Sequence, residues 1–312
     1  MRIGLVVDSA CDLPTEYVRD NGIVVLPITI RLGNQEFVDA RDPDETQRFY
    51  RKHLANTAEG ETAPYSIEQI KRLFLDRLVI DYDFVFCLTL ASSRSPIFDH
   101  ATRASFSILS EYKPIRQAAG HTGPFALRVV DTQNLFAAQG VLAAEVVRMT
   151  REGASPNRIR ERVESLVPNL YGYMLPSNLY HLRARAAKKG DKSVGWLQYA
   201  LGSALDIKPL IRGFRNETGP VAKLRHYEDA AATCFDFLIR RIKFGLMTRT
   251  LCVSYAGDLT QLYKMPGYVE LQNVATRSGI ELLTSVMSIT GAINVGEGAL
   301  AFGYCAAPHE FG

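Results

Sequence analysis

Four short, largely apolar runs constrain the first half of this chain: RIGLVVDS, IVVLPITIRLG, DFVFCLTLA and ALRVVD. A strand with one wet face alternates apolar and polar residues, whereas an unbroken apolar run of this length must be covered on both faces. Between and after the runs lie helical patterns: CDLPTEYVRDNG, DETQRFYRKHLA, SIEQIKRLFLDRL, a helix from about Pro96 to Tyr112, and LFAAQGVLAAEVVRMTREG. Strands separated by such helices form a mostly parallel sheet flanked by helices, an α/β domain. In the first helix Asp12 is the expected N-cap, with Pro14 in the first turn and Gly22 as the stop. Pro27 inside the second run predicts an edge or a bulge.

The second half has a different rhythm. After a linking helix, SPNRIRERVESLV, come YGYMLP and a helical stretch near 178–202. DIKPLIRGF and GPVAKLR then lie close together across RNETG, the spacing of a hairpin. A long helix, HYEDAAATCFDFLIRRIKFGL, precedes TLCVSYAG, a polar helical segment, the strand GIELLTSVMSI and the closing GALAFGY. Close antiparallel pairing beside helices predicts a smaller α+β sheet domain. With 312 residues the chain exceeds one small core, so two domains are expected, 1–165 and 166–312.

The charge balance narrows the partners. Thirty-six basic against 33 acidic residues leave +3, with the signs interspersed, unlike the one-sided basic footprint of a nucleic-acid binder. No apolar run approaches the ~18 residues of a membrane span, and Asp8 interrupts the first strand before a signal-peptide core can form. The five cysteines, Cys11, Cys87, Cys234, Cys252 and Cys305, are odd in number and never in CxxC spacing. They read as buried thiols of a reducing cytoplasm.

Ligands of parallel sheets gather at the carboxyl ends of strands. Four polar segments are expected there: DSACD (8–12), ETAPYS (61–66), SSRSP (92–96) and DTQN (131–134). Hydroxyls dominate them: Ser9, Thr62, Ser66, Ser92, Ser93, Ser95 and Thr132. Each alone is most simply a helix cap; together, at helix N-termini around one crevice, they suit a carboxylate or phosphate. Catalysis finds less support. There is no G-x-S-x-G elbow and no P-loop, no two His or Cys residues stand at metal-ligand spacing, and His100 reads as a surface or packing residue. No catalytic residue, metal or cofactor is therefore assigned.

The order of these segments resembles the DegV family of bacterial lipid-binding proteins over nearly the whole chain. The resemblance rests on VVDSACDLP, Thr62 and Ser66 in ETAPYS, Ser95 in SSRSPIFDHA, VVDT with its long helix, LDIKPLI, Lys223-Leu224-Arg225 and NVGEGALAFGY. It implies an α/β domain joined to a smaller one with a fatty acid held between them, whose carboxylate is bonded by Thr62 and Ser95. It also implies, for some members, a partnership with a separate kinase chain that phosphorylates the bound acid.

Several positions depart from the family pattern. The usual TSxPS reads Thr62-Ala63-Pro64-Tyr65-Ser66, the S-G-T reads Ser95-Pro96-Ile97, and Gly-Gly-Arg is Arg185-Ala186-Ala187. The family's His-x-Gly-Pro-Gly is Asn294-Val295-Gly296-Glu297-Gly298. Asn294 can donate a hydrogen bond but stays neutral, so a weaker and less pH-dependent head-group site is expected. Gly296 and Gly298 are expected in a tight turn beside that site, with Ser66 and Ser93 on neighbouring loops. The tail wall is expected from Ile97, Leu283, Val286, Met287, Ile289, Ile293 and Phe302, although ordinary core is the commoner role for such residues. Two other functions fit the same segments: an enzyme acting on a small carboxylated or phosphorylated substrate, and an interaction protein that has lost its ligand. The basic set Lys208, Arg212, Arg215, Lys223 and Arg225 around the hairpin could dock an acidic partner.

Overall fold

The computed structural model describes residues 1–54, 60–179, 181–182 and 207–312. Most of the helical stretch expected near 178–202, and Arg185-Ala186-Ala187 with it, lies outside these residues. The apolar runs form a parallel sheet. β1 (Ile3–Asp8) lies between β2 (Val24–Leu26) and β6 (Phe84–Thr89), and β7 (Ala126–Asp131) pairs with β6. The register sets Val6 beside both Val24 and Cys87. β1 and β6 are buried along nearly their whole length, as unbroken apolar runs require.

The second run divides at Pro27. Lacking an N–H, proline cannot continue the ladder, and the chain crosses there into a separate antiparallel sheet. This sheet contains β3 (Ile28–Leu32), β4 (Gln35–Asp39) and β5 (Glu61–Pro64), in the order β4-β3-β5. The ETAPYS segment, expected as a loop at the mouth of the parallel sheet, therefore supplies a strand of another sheet. Four residues alternating between exposed and half-buried carry too little apolar signal to announce one.

The second half builds a six-stranded sheet from β8 (Leu170–Leu175), β9 (Ile207–Phe214), β10 (Glu217–Arg225), β11 (Thr250–Tyr255), β12 (Glu281–Val286) and β13 (Leu300–Cys305), ordered β10-β9-β8-β13-β11-β12. The expected hairpin is β9–β10. Arg215 and Asn216 turn it with φ of 50° and 66°, the positive pair that a two-residue hairpin loop needs. Only β11 and β12 run parallel among the paired strands of this sheet. Helices Tyr227–Phe244 and Tyr268–Arg277 pack against an aromatic core of Tyr171, Tyr173, Phe302 and Tyr304.

One helix joins the two large sheets. Ala137–Arg151 touches β1 and β6 as well as β8, β11 and β13. It is apolar nearly all round because both sides are covered. Contact with β13 is at backbone range: a Cβ built on Gly303 would stand 2.2 Å from the Ala138 Cα.

The predicted strand GIELLTSVMSI is also shorter than expected. It ends at Val286, and Ile289–Val295 is a helix whose N-cap, Ser288, accepts from the Gly291 amide at 3.0 Å. Ile, Thr, Gly, Asn and Val are weak helix formers, so the sequence ITGAINV conceals this helix.

Candidate functional site

The three sheets and the Ile289–Val295 helix meet at a buried polar cluster. Asp12 does not cap the first helix; Pro14 occupies that position and makes no side-chain cap bond. The Asp12 carboxylate instead accepts from Ser254 Oγ at 2.6 Å, the Ser288 amide at 2.8 Å and Arg41 Nη1 at 3.4 Å. Asp39, at the end of β4, accepts from both the amide and the hydroxyl of Thr290 at 2.8 Å. Arg41 completes the cluster by donating to the carbonyls of Leu13 and Val286. Two buried carboxylates thus hold the first turn of the helix, where free amides favour negative charge. Desolvation raises both carboxyls, while Arg41 and the hydrogen bonds lower them.

Asp8 lies deeper, accepting from the amides of Leu90 at 2.6 Å and Ala10 at 2.9 Å. Burial pushes its carboxyl up from 3.8 to about 7, against these donors and Gln139. The native state therefore keeps a proton that the unfolded chain releases. Stability linked to Asp8 is fully present below its unfolded value and is lost as pH rises through about 7. Denaturant titrations should show a decline in unfolding free energy between pH 5 and 7.5 that an Asp8→Ala variant lacks. An unchanged slope in the variant would refute this assignment.

Most of the hydroxyls at the strand ends are engaged in structure. Ser9 Oγ donates to the carbonyl of Asp39 and accepts from the Ile28 amide. Ser92 Oγ donates to Asp131 at 2.5 Å, and Thr132 Oγ1 donates to the Thr89 carbonyl at 2.8 Å. Ser93 Oγ reaches the Asn216 carbonyl in the β9–β10 turn at 2.6 Å. Ser66 makes a capping box with Gln69, and Ser95 Oγ accepts from the Ile97 amide at 3.3 Å. Thr62 differs: among the described residues its half-buried hydroxyl has no protein partner.

The pairing of β5 gives Thr62 a direction. It stands directly opposite Ile30 on β3, and directly paired residues project from the same face. Ile30 packs with Phe49, Ile289 and Ile293, so Thr62 shares a face with the helix that carries Asn294. The Ser95 loop is tied to the same segment, because His100 Nδ1 lies 2.8 Å from the Tyr65 carbonyl. The remaining wall candidates divide. Ile97, Leu283 and Met287 belong to the core around the central helix, with Val286 half-buried. Phe302 lies in the separate aromatic core, stacked on Tyr173 at 5.0 Å.

The closing glycines make the expected tight turn, with φ of 94° at Gly296 and 69° at Gly298. One amide hydrogen of Asn294 goes to its own helix, at the Thr290 carbonyl, 2.7 Å away. His181, left without a role by sequence motifs, packs here instead. Its Nε2 lies 2.8 Å from the Ile293 carbonyl, and a Cβ on Gly296 would meet its ring at 2.9 Å. No local motif marked it. An open cleft of about 450 Å³ adjoins the turn, lined in part by Arg51, Ser177, His181, Asp258, Glu297 and Gly298.

The basic hairpin set is partly engaged inside the protein. Arg212 pairs with Glu310 at 3.0 Å, Arg215 donates to the Pro168 carbonyl, and Lys208 donates to the Ser177 carbonyl.

Comparison with known proteins gives three findings. The family profile described as "uncharacterised protein, DegV family" matches residues 2–307. A DegV domain-containing protein of Xanthomonas axonopodis pv. citri is 56% identical over 312 residues, covering 100% of this chain and 99% of its own. Among solved structures, a DegV lipid binding protein from Thermotoga maritima superposes with a TM-score of 0.76 at 22% identity, over 99% of this chain and 100% of that one. The fatty acid kinase B3 protein of Streptococcus pneumoniae, loaded with linoleic acid, gives 0.72 at 16% identity, over 98% and 100% of the two chains. Among the described residues, no helix is long and apolar enough to cross a membrane.

Proposed function

The chain belongs to the DegV family, and from that premise we propose that it binds a long-chain fatty acid or similar lipid, with Thr62 and Ser95 bonding the head group. The observation that carries this reading is the Thr62 hydroxyl, half-buried, without a protein partner, and on the same face as the Ile30, Ile289 and Ile293 cluster. The hydroxyl is not sealed from solvent, so it is available to bond a ligand's head group at that face. An acyl tail supplies the complementary part, at about 0.8 kcal/mol for each buried methylene. Asn294 and Gly296 form the edge of the head-group site, with Ser66, Ser93 and Gly298 on its surrounding loops. Ile97, Met287, Ile289, Ile293 and Phe302 are the tail-wall candidates, of which Ile289 and Ile293 share the Thr62 face. The units 1–165 and 166–312 flank the ligand. Glu297 is exposed, so water screens its charge from the carboxylate.

The protein is a carrier rather than an enzyme in this reading. All five thiols are buried and pushed up by desolvation, which makes them poor nucleophiles. The lipid is presented in the cytoplasm to a separate kinase subunit, by analogy with the Streptococcus pneumoniae protein. Mass spectrometry of an organic extract of the purified protein should release an acyl chain. The Thr62→Ala, Ser95→Ala double variant should bind added fatty acid at least tenfold more weakly, since a hydrogen bond to a charged group contributes ~1.5–3 kcal/mol. Repeated extraction without any acyl chain, together with no uptake of added fatty acid, would end this reading.

A further inference from the structure

We propose that Asn216, in the turn of the β9–β10 hairpin, is the positioning residue for Ser95, so that a head-group contact of the first half is set by the second half. The inference rests on the fatty-acid reading above and adds to it what holds Ser95 in place. Ser95 stands in the loop between β6 and the helix Ile97–Ser107. Its Oγ accepts from the Ile97 amide at 3.3 Å, and among the described residues its hydroxyl proton has no protein acceptor. That proton is the one a carboxylate would accept.

Packing alone does not hold this loop. Ala91 and Ile97 are buried at its ends, but Ser92, Ser93 and Arg94 between them are exposed. Polar bonds fix these three residues, and they converge on the hairpin turn. Ser93 Oγ donates to the Asn216 carbonyl at 2.6 Å, and Arg94 Nη2 donates to Thr218 Oγ1. Ser92 donates to Asp131, the last residue of β7, from its amide at 3.2 Å and its hydroxyl at 2.5 Å. Asn216 Nδ2 donates to the same carboxylate at 2.9 Å, and the Asn216 amide donates to the Gln133 carbonyl at 3.0 Å. Asn216 therefore grips the loop twice, directly through its carbonyl and indirectly through Asp131. The residue type matters as well. Asparagine tolerates the φ of 66° found here, and its amide gives Asp131 a neutral donor. An aspartate would keep the turn and the carbonyl that Ser93 uses, but would set a second carboxylate against Asp131, where like charges repel.

The experiment is a double-mutant cycle on binding of cis-parinaric acid, read by its fluorescence at neutral pH. Asn216→Asp should weaken binding about tenfold, the loss expected when the Ser95 hydrogen bond to a charged group is forfeited. Adding Ser95→Ala should then cost nothing more, whereas adding Thr62→Ala should weaken binding by the same factor as in the wild-type protein. A merely structural defect would not silence Ser95 and spare Thr62. Asn216→Gly keeps the positive φ and the carbonyl but loses the amide. It should shrink the Ser95→Ala loss in part and leave the Thr62→Ala loss whole, and it carries the test should melting curves show that Asn216→Asp does not fold. Unchanged affinity in both Asn216 variants, or losses that multiply with Ser95→Ala, overturn the inference alone. No binding by the wild-type protein overturns the fatty-acid reading with it.

Discussion

Asp12→Ala should lower the unfolding free energy by about 3–5 kcal/mol, the usual cost of leaving a buried charge without its partner. The charge that loses its ion-pair partner is Arg41, whose side chain is 6% exposed beside an Asp12 side chain with no exposure, leaving the buried Asp39 as its carboxylate neighbour. The same substitution removes the acceptor for Ser254 Oγ and the Ser288 amide. Asp12→Asn separates these effects. Its amide oxygen can still accept from Ser288 while its nitrogen donates to Ser254, so only the charge is lost and the cost should be smaller. Urea titration at neutral pH reads both variants. Hydrogen exchange should also show Ser288 and Gly291 opening more easily in Asp12→Ala. A loss below 1 kcal/mol with unchanged exchange would show that the cluster is not a joint between the two halves.

Gly303→Val should be almost as damaging, for a steric reason. The missing Cβ would lie 2.2 Å from the Ala138 Cα and 2.5 Å from its amide nitrogen. These are main-chain atoms in the first turn of a buried helix and cannot rotate aside. Overpacking ordinarily costs ~1–3 kcal/mol; here the whole helix must lift from β13, and a loss of about 3 kcal/mol or more is expected. Thermal unfolding should show it as a fall in Tm of several degrees. Gly153→Ala is a control: it tests a positive φ of 73° in open space, so only local backbone strain should appear. Equal effects at both positions would refute the steric account.

The parts of the fold legible in the sequence were those under a strong single constraint. Continuous burial wrote unbroken apolar runs into β1 and β6, and an adjacent pair of strands with a short polar turn revealed the β9–β10 hairpin. The three-stranded sheet was harder to read. Its strands are short, half-exposed and held partly by partners far along the chain, so ETAP carries no periodic signal of its own. The helix Ile289–Val295 was hidden by residues of weak helix propensity, and its first turn is fixed by Asp12 and Asp39, which lie some 250 or more positions earlier. The site shows the same division. Local spacing pointed to hydroxyl-rich segments, yet most of their hydroxyls secure loops and turns. Thr62 and Ser95 were singled out by family resemblance, and His181 by tertiary packing alone.

The central helix has a consequence for how any lipid enters and leaves. Because Ala137–Arg151 contributes its residues to both large sheets at once, the molecule has no clean plane along which it can part. Opening like a book would strip an apolar helix from β8, β11 and β13 and expose it to water. On the proposed function, exchange of a bound fatty acid is expected to work by local loosening of surface segments while the interior stays closed. By the same logic, a fragment ending near residue 165 would be a sticky half with a bare helix face, not a smaller stable unit.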